Sequence, residues 1–147
     1  MLYIPGNNPA MIQQGGVYGA DSILLDLEDA VALNQKDAAR TLVRNMIKVT
    51  NFYDAEVCVR INHLSTPFGL ADLEEIVPLQ PSAIRYPKTE SAEEVANLLR
   101  IIEKIEDGNT SLDESIRLYE QGAVLVKQCE TMLSEAEVKI TTLSRDD

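Results

Sequence analysis

The sequence predicts an α/β segment of about four parallel strands over residues 1–90, followed by an all-α helical hairpin over residues 91–147. Three observations lead there. Short apolar runs alternate with helical patterns in the first part, which implies right-handed βαβ units and a parallel sheet. All six prolines and five of the seven glycines lie in that part, and frequent breakers mean short elements. The second part has only Gly108 and Gly122 and carries a long apolar stripe at helical spacing.

The elements follow in chain order. Leu2-Tyr3-Ile4 reads as a strand closed by Pro5-Gly6. Asn8-Pro9 has the form of a helix cap followed by proline at the first helical position. Ser22 to Leu27 is a second strand, apolar on both faces. Asn34 to Lys48 fits a helix, with Ala38, Leu42 and Ile47 among its inward candidates and Lys36 and Arg40 on an exposed face. Glu56 to Ile61 is a third strand, with Cys58 in the core. Gly69 to Val77 is a short helix, and Ala83 to Tyr86 a fourth strand ended by Pro87. A parallel sheet of this kind places its chemistry at the strand C-termini. His63, the single histidine, reads as a surface loop residue.

In the second part, Ser91 and Glu94 form a capping box ahead of the stripe Val95, Leu98, Leu99, Ile102 and Ile105. Gly108 breaks it. A second helix starts near Ser111, and Leu112, Ile116, Tyr119, Ala123, Val126 and Leu133 are its interface candidates at near-heptad steps. Two such helices share too little core to be stable alone, so self-association or a partner protein is expected.

Composition narrows the function. At 147 residues the chain suits one ordinary domain or two small ones, and 45% hydrophobic with 25% charged residues is globular. A net charge of −11 argues against direct nucleic-acid binding and against docking on anionic membrane. Cys58 and Cys129 make neither a CxxC nor a Cys/His metal spacing. With no long apolar run and no basic-then-apolar leader, a reduced cytoplasmic setting is expected.

Two stretches carry family resemblances. Leu2-Tyr3-Ile4-Pro5-Gly6-Asn7-Asn8-Pro9, Leu25-Asp26-Leu27-Glu28-Asp29-Ala30-Val31, Lys36-Asp37-Ala38-Ala39-Arg40, Val59-Arg60-Ile61-Asn62 and Arg85-Tyr86-Pro87-Lys88-Thr89-Glu90 stand in order in the first hundred residues. Together they resemble the citrate lyase beta subunit and its acyl-coenzyme A lyase relatives. The resemblance implies a portion of a (β/α)₈ barrel and Mg²⁺-dependent cleavage of a citryl or malyl thioester. It implies Arg60 as the catalytic, substrate-facing arginine, with an ion-pair role as the alternative. Gly6 and Asn7 would line the mouth. Glu28 and Asp29 would sit beside the metal as outer carboxylates or merely cap the next segment. Lys88 would complement substrate charge or be a solvated strand end. A closed barrel needs about 250 residues. The family's metal-binding Glu and Asp come from strands beyond the fourth, so no metal ligand is assigned in this chain.

The second stretch runs Ile105-Glu106-Asp107-Gly108-Asn109-Thr110-Ser111-Leu112-Asp113-Glu114-Ser115, then Leu118-Tyr119-Glu120-Gln121-Gly122 and Cys129-Glu130. It resembles the exodeoxyribonuclease VII small subunit, a non-catalytic helical hairpin without a cofactor. That resemblance implies the nuclease large subunit as partner and support of single-stranded DNA degradation. Because the hairpin is whole and the barrel is not, the accessory nuclease role is the leading expectation. The citrate lyase beta role, inactive for want of strands, stands second. The seam lies between residues 88 and 104, where one helix suits both resemblances.

Overall fold

The computed structural model describes residues 1–107. Four parallel strands pair in sequence order: β1 (Leu2–Pro5), β2 (Ser22–Asp26), β3 (Glu56–Arg60) and β4 (Ala83–Arg85). The helices are α1 (Pro9–Gln14), α2 (Lys36–Val49), α3 (Gly69–Ile76) and α4 (Ala92–Glu106). Parallel neighbours in chain order each need a crossover, and crossovers share one hand, so the helices gather on one face of the sheet. Accordingly α1 packs on α2, and α2 on α3. The result is an arc of β/α units, consistent with part of a (β/α)₈ barrel.

Local chemistry explains the element ends. Asn8 caps α1 by accepting from the Met11 backbone N–H at 3.1 Å, with Pro9 at the first helical position. Every residue of β2 is buried, as a central parallel strand requires. Ile4, Ile23, Leu25, Val43, Val59 and Leu73 are completely or almost completely buried and make the core between sheet and helices.

The register aligns Tyr3, Leu24, Cys58 and Ala83 in one row. Two rows further on, Pro5, Asp26, Arg60 and Arg85 align in another. Strand alternation puts both rows on the face away from the helices. The sheet curls around that face. Arg85 Nη1 donates to the Tyr3 hydroxyl at 2.6 Å, and its guanidinium carbon lies 5.8 Å from the Tyr3 ring centre. Leu24 and Cys58, on the same face, are buried, and Cys58 Sγ lies 3.5 Å from Ser22 Oγ.

Two sequence expectations are corrected here. The buried face of α2 is Lys36, Ala39, Arg40 and Val43, not Ala38 and Leu42. Lys36 and Arg40 point inward because each ends on fixed acceptors. Lys36 Nζ donates to the Leu27 and Glu28 carbonyls, and Arg40 Nε pairs with Asp72 Oδ1 at 2.8 Å.

The second correction concerns residues 91 onward. The segment from Ser91, expected as the first arm of a separate hairpin, is α4, the helix after β4 in the α/β series. Ser91 Oγ accepts from the Glu94 N–H at 3.2 Å, and α4 packs on the turn Val77–Leu79. Nothing among the described residues sets it apart as an all-α hairpin. The expected second arm, with Leu112, Ile116, Tyr119, Ala123, Val126 and Leu133, lies outside the described residues. No helix among the described residues is long and apolar enough to cross a membrane.

Candidate functional site at the strand C-termini

Asp26 and Arg60 end two neighbouring strands and are register partners. Arg60 lies flat against the carboxylate, Nε to Oδ1 at 2.8 Å and Nη2 to Oδ2 at 2.6 Å. Asp26 also accepts from the backbone N–H of Glu28 at 2.8 Å and of Ala30 at 3.0 Å. One carboxylate thus fixes both the guanidinium plane and the loop after β2. Burial pushes the Asp26 carboxyl up, but the bonds from Arg60, Glu28 and Ala30 outweigh it and hold it below the usual range. The hydrogen bonds to Asp26, more than the surrounding charge, raise the Arg60 guanidinium above its ordinary value.

The remaining nitrogen of Arg60 faces the loop after β2. Nη1 lies 3.4 Å from Glu28 Oε2 and 3.7 Å from Asp29 Oδ2, and it makes no hydrogen bond among the described residues. Lys88, just beyond β4, closes the other side. Its backbone is left-handed, with φ 47°, and its ammonium lies 2.9 Å from Glu28 and 3.4 Å from Asp29. The hydrogen bond to Glu28, then the two carboxylate charges, raise the Lys88 ammonium above its ordinary value.

A cleft of about 730 Å³ opens beside this cluster, and Glu28, Asp29, Lys36, Asn62, His63 and Lys88 are in its wall. Asn62 is buried and rigidly held. Its Nδ2 donates to Leu27 O at 3.0 Å and to Asp72 Oδ2 at 2.7 Å, and its backbone N–H also donates to Asp72, at 2.8 Å. Asp72, fully buried on α3, is balanced by Arg40. His63 stacks on Tyr86 with ring centres 4.9 Å apart. Its Nδ1 accepts from the Ser65 N–H at 3.1 Å, so the neutral ring carries its proton on Nε2. Burial pushes the Tyr86 phenol up.

The structure brings Arg60, Glu28, Asp29 and Lys88 together, the four charged residues singled out from sequence. Gly6 joins by backbone, its N–H donating to Asp26 O at 2.7 Å. A Cβ there would sit 2.7 Å from that same oxygen, so the close approach needs glycine. Asn7 turns instead to Gln35, its Nδ2 donating to Oε1. Sequence reasoning missed Lys36, Asn62, His63 and Asp72 as parts of the site. Two cations four apart on α2 were a usable signal, since a polar pair on the apolar-facing side of a helix needs acceptors.

The residues described do not make a magnesium cradle. No group of three or more His, Cys, Asp or Glu among them converges on one point. Asp26 is bound to Arg60, while Glu28 and Asp29 face Lys88. Magnesium, when bound, would supply positive charge for a keto-acid oxygen.

A parallel β/α arc with charged groups gathered at its strand C-termini has the form of a β/α-barrel segment with its site at that end. Residues 1–140 match HpcH/HpaI aldolase/citrate lyase, and the chain belongs to that family. It is 48% identical over 92 residues to the citrate lyase subunit beta of Leuconostoc mesenteroides subsp. cremoris, covering 63% of this chain and 30% of that one. To the Haemophilus influenzae subunit it is 44% identical over 106 residues, 72% and 36% of the two chains. Among solved structures, the protein CitE of Mycobacterium tuberculosis, in complex with magnesium and acetate, is similar with TM-score 0.56 and 35% identity. The match covers 66% of this chain and 39% of that one. The chain thus spans about a third of the length of the curated relatives it matches.

These findings overturn the accessory nuclease reading. The family match extends to residue 140, through the segment assigned to the exodeoxyribonuclease VII small subunit, and the relatives are lyases.

Proposed function

We propose that this chain takes part in carbon–carbon cleavage of a citryl-type thioester, giving a 2-oxo acid and an acetyl thioester. The observation that carries the reading is the presentation of Arg60: Nε and Nη2 are bound to Asp26, and Nη1 makes no hydrogen bond among the described residues, 3.4 Å from the cleft-wall residue Glu28. An arginine held flat by a buried carboxylate keeps its remaining donors aimed, so little reorganisation is needed when a carboxylate or enolate oxygen arrives. In the cleavage, the substrate hydroxyl loses its proton and its carbon becomes a ketone. The bond to the thioester's α-carbon breaks, and the electron pair moves to the thioester oxygen as an enolate. Protonation of the α-carbon completes the acetyl thioester. Arg60 Nη1 steadies the carboxylate or that enolate, and Lys88 offsets added negative charge at the mouth.

The family membership supports the reaction class, and the relatives' names supply the acyl groups: citrate lyase, (3S)-malyl-CoA thioesterase and citramalyl-CoA lyase. The test is oxaloacetate release from a citryl thioester by the full chain with Mg²⁺, alongside Arg60→Ala. Release from the wild type that drops at least a hundredfold in the variant is expected. Equal rates in both, or no release by the wild type, would overturn the reading.

A further inference from the structure

Asn62 is absent from the proposed chemistry, yet its geometry is the most constrained in the cleft. Both Nδ2 protons are committed, one to a backbone carbonyl and one to a carboxylate that is itself paired with Arg40. Both partners can only accept, so the amide cannot be flipped without setting oxygen against oxygen. The orientation is thus dictated by chemistry. Oδ1 receives no hydrogen bond among the described residues, and it is not one of the buried side-chain oxygens left without a partner. Oδ1 is thus the polar atom of Asn62 without a partner among the described residues, and Asn62 forms part of the cleft wall.

An acceptor held this rigidly, with no internal partner, selects a donor. Arg60 ends β3 and Asn62 stands two residues beyond it, which at extended spacing is about 7 Å between Cα atoms. One offers a donor edge for a carboxylate and the other a lone pair. Citryl, malyl and citramalyl groups carry a hydroxyl and a carboxylate on the same carbon, which matches that pair of functions. Building on the lyase reading, we propose that Asn62 Oδ1 accepts the hydrogen bond of the substrate's hydroxyl. The cleft then prefers hydroxylated dicarboxylic groups to their deoxy counterparts. The carboxamide is far too weak a base to remove that proton; it orients the hydroxyl while Arg60 takes the carboxylate. A site built around a hydroxyl discriminates against the analogue lacking it, because the polar atom is then left unpaired.

Malate and succinate differ only by the hydroxyl, so their binding to the full chain tests the assignment. Titration followed by the Asn62 side-chain amide resonance and by calorimetry should give malate about five- to tenfold tighter than succinate. The Asn62 amide should shift with malate and stay in place with succinate. Asn62→Ala should bring malate down to the succinate level and leave succinate unchanged, while Arg60→Ala weakens both. The wild-type comparison stands without any variant, should Asn62→Ala fold poorly. Equal binding of the two acids, still dependent on Arg60, overturns the role of Asn62 and spares the lyase reading. Binding of neither acid, or binding indifferent to Arg60, overturns both.

Discussion

The guanidinium of Arg85 at the end of β4 reaches the hydroxyl of Tyr3 on β1 at 2.6 Å, across two intervening strands. Neighbouring strands lie about 4.8 Å apart, so a flat sheet would separate these strands by roughly 14 Å. The bridge is possible because the sheet curls, and it ties the first strand to the last over Leu24 and Cys58. Tyr3→Phe removes the acceptor and keeps the ring. Since both side chains are largely exposed, a loss of about 0.5–1 kcal/mol is expected in urea unfolding. No change would mean that the bridge adds nothing to stability.

Asp26 makes stability depend on acid. Its folded carboxyl lies below the ordinary 3.8, so the unfolded chain binds the proton more readily. The contribution is complete above that unfolded value and disappears as pH falls through the folded one. Unfolding midpoints measured from pH 6 downward should fall more steeply in the wild type than in Asp26→Asn. The variant should already be weaker at pH 6, by about 2–4 kcal/mol, since Arg60 is left half-buried without its partner. Parallel pH profiles would contradict this account.

Lys36 gives the same slope at the alkaline end for the opposite reason, because its charged form is disfavoured in the fold. Burial lowers its ammonium below 10.5, although the charges of Asp26, Asp72, Glu28 and Asp29 pull it back up. The unfolded chain therefore keeps the proton longer. Native stability rises relative to Lys36→Met as pH climbs through the folded value towards 10.5. Lys36→Met should nonetheless be weaker at pH 7, by about 1–3 kcal/mol, because the Leu27 and Glu28 carbonyls lose their donor. Chemical denaturation at pH 7 and at pH 10 measures both effects.

Two glycines hold the loops of the site close. A Cβ at Gly6 would meet Asp26 O at 2.7 Å and Leu27 Cδ2 at 2.9 Å; one at Gly69 would meet His63 O at 2.5 Å. Backbone oxygens cannot swing aside as a side chain can. Gly6→Ala and Gly69→Ala should each cost about 1–3 kcal/mol by urea unfolding. Gly19→Ala, with nothing within 4 Å but φ +63°, should cost about 1 kcal/mol through backbone strain alone.

The amino-acid order alone determined the β/α alternation and the Asn8 and Ser91 caps, and it marked Arg60, Glu28, Asp29 and Lys88 only through the family resemblance of their motifs. Each is written in residues near one another in the chain: an apolar run ended by proline, a cap followed by its acceptor pattern, or a motif at a strand end. It misassigned the inner face of α2, because periodicity counts Lys36 and Arg40 as outward and cannot see the Leu27 carbonyl or Asp72 waiting for them. Tertiary structure alone decided that Asn62 and Asp72 belong to the site, that α4 continues the α/β series, and that Tyr3 meets Arg85. Those relations join residues 10 to 82 positions apart, and they depend on where the sheet curls and which buried acceptor needs a donor. Local pattern holds no record of either.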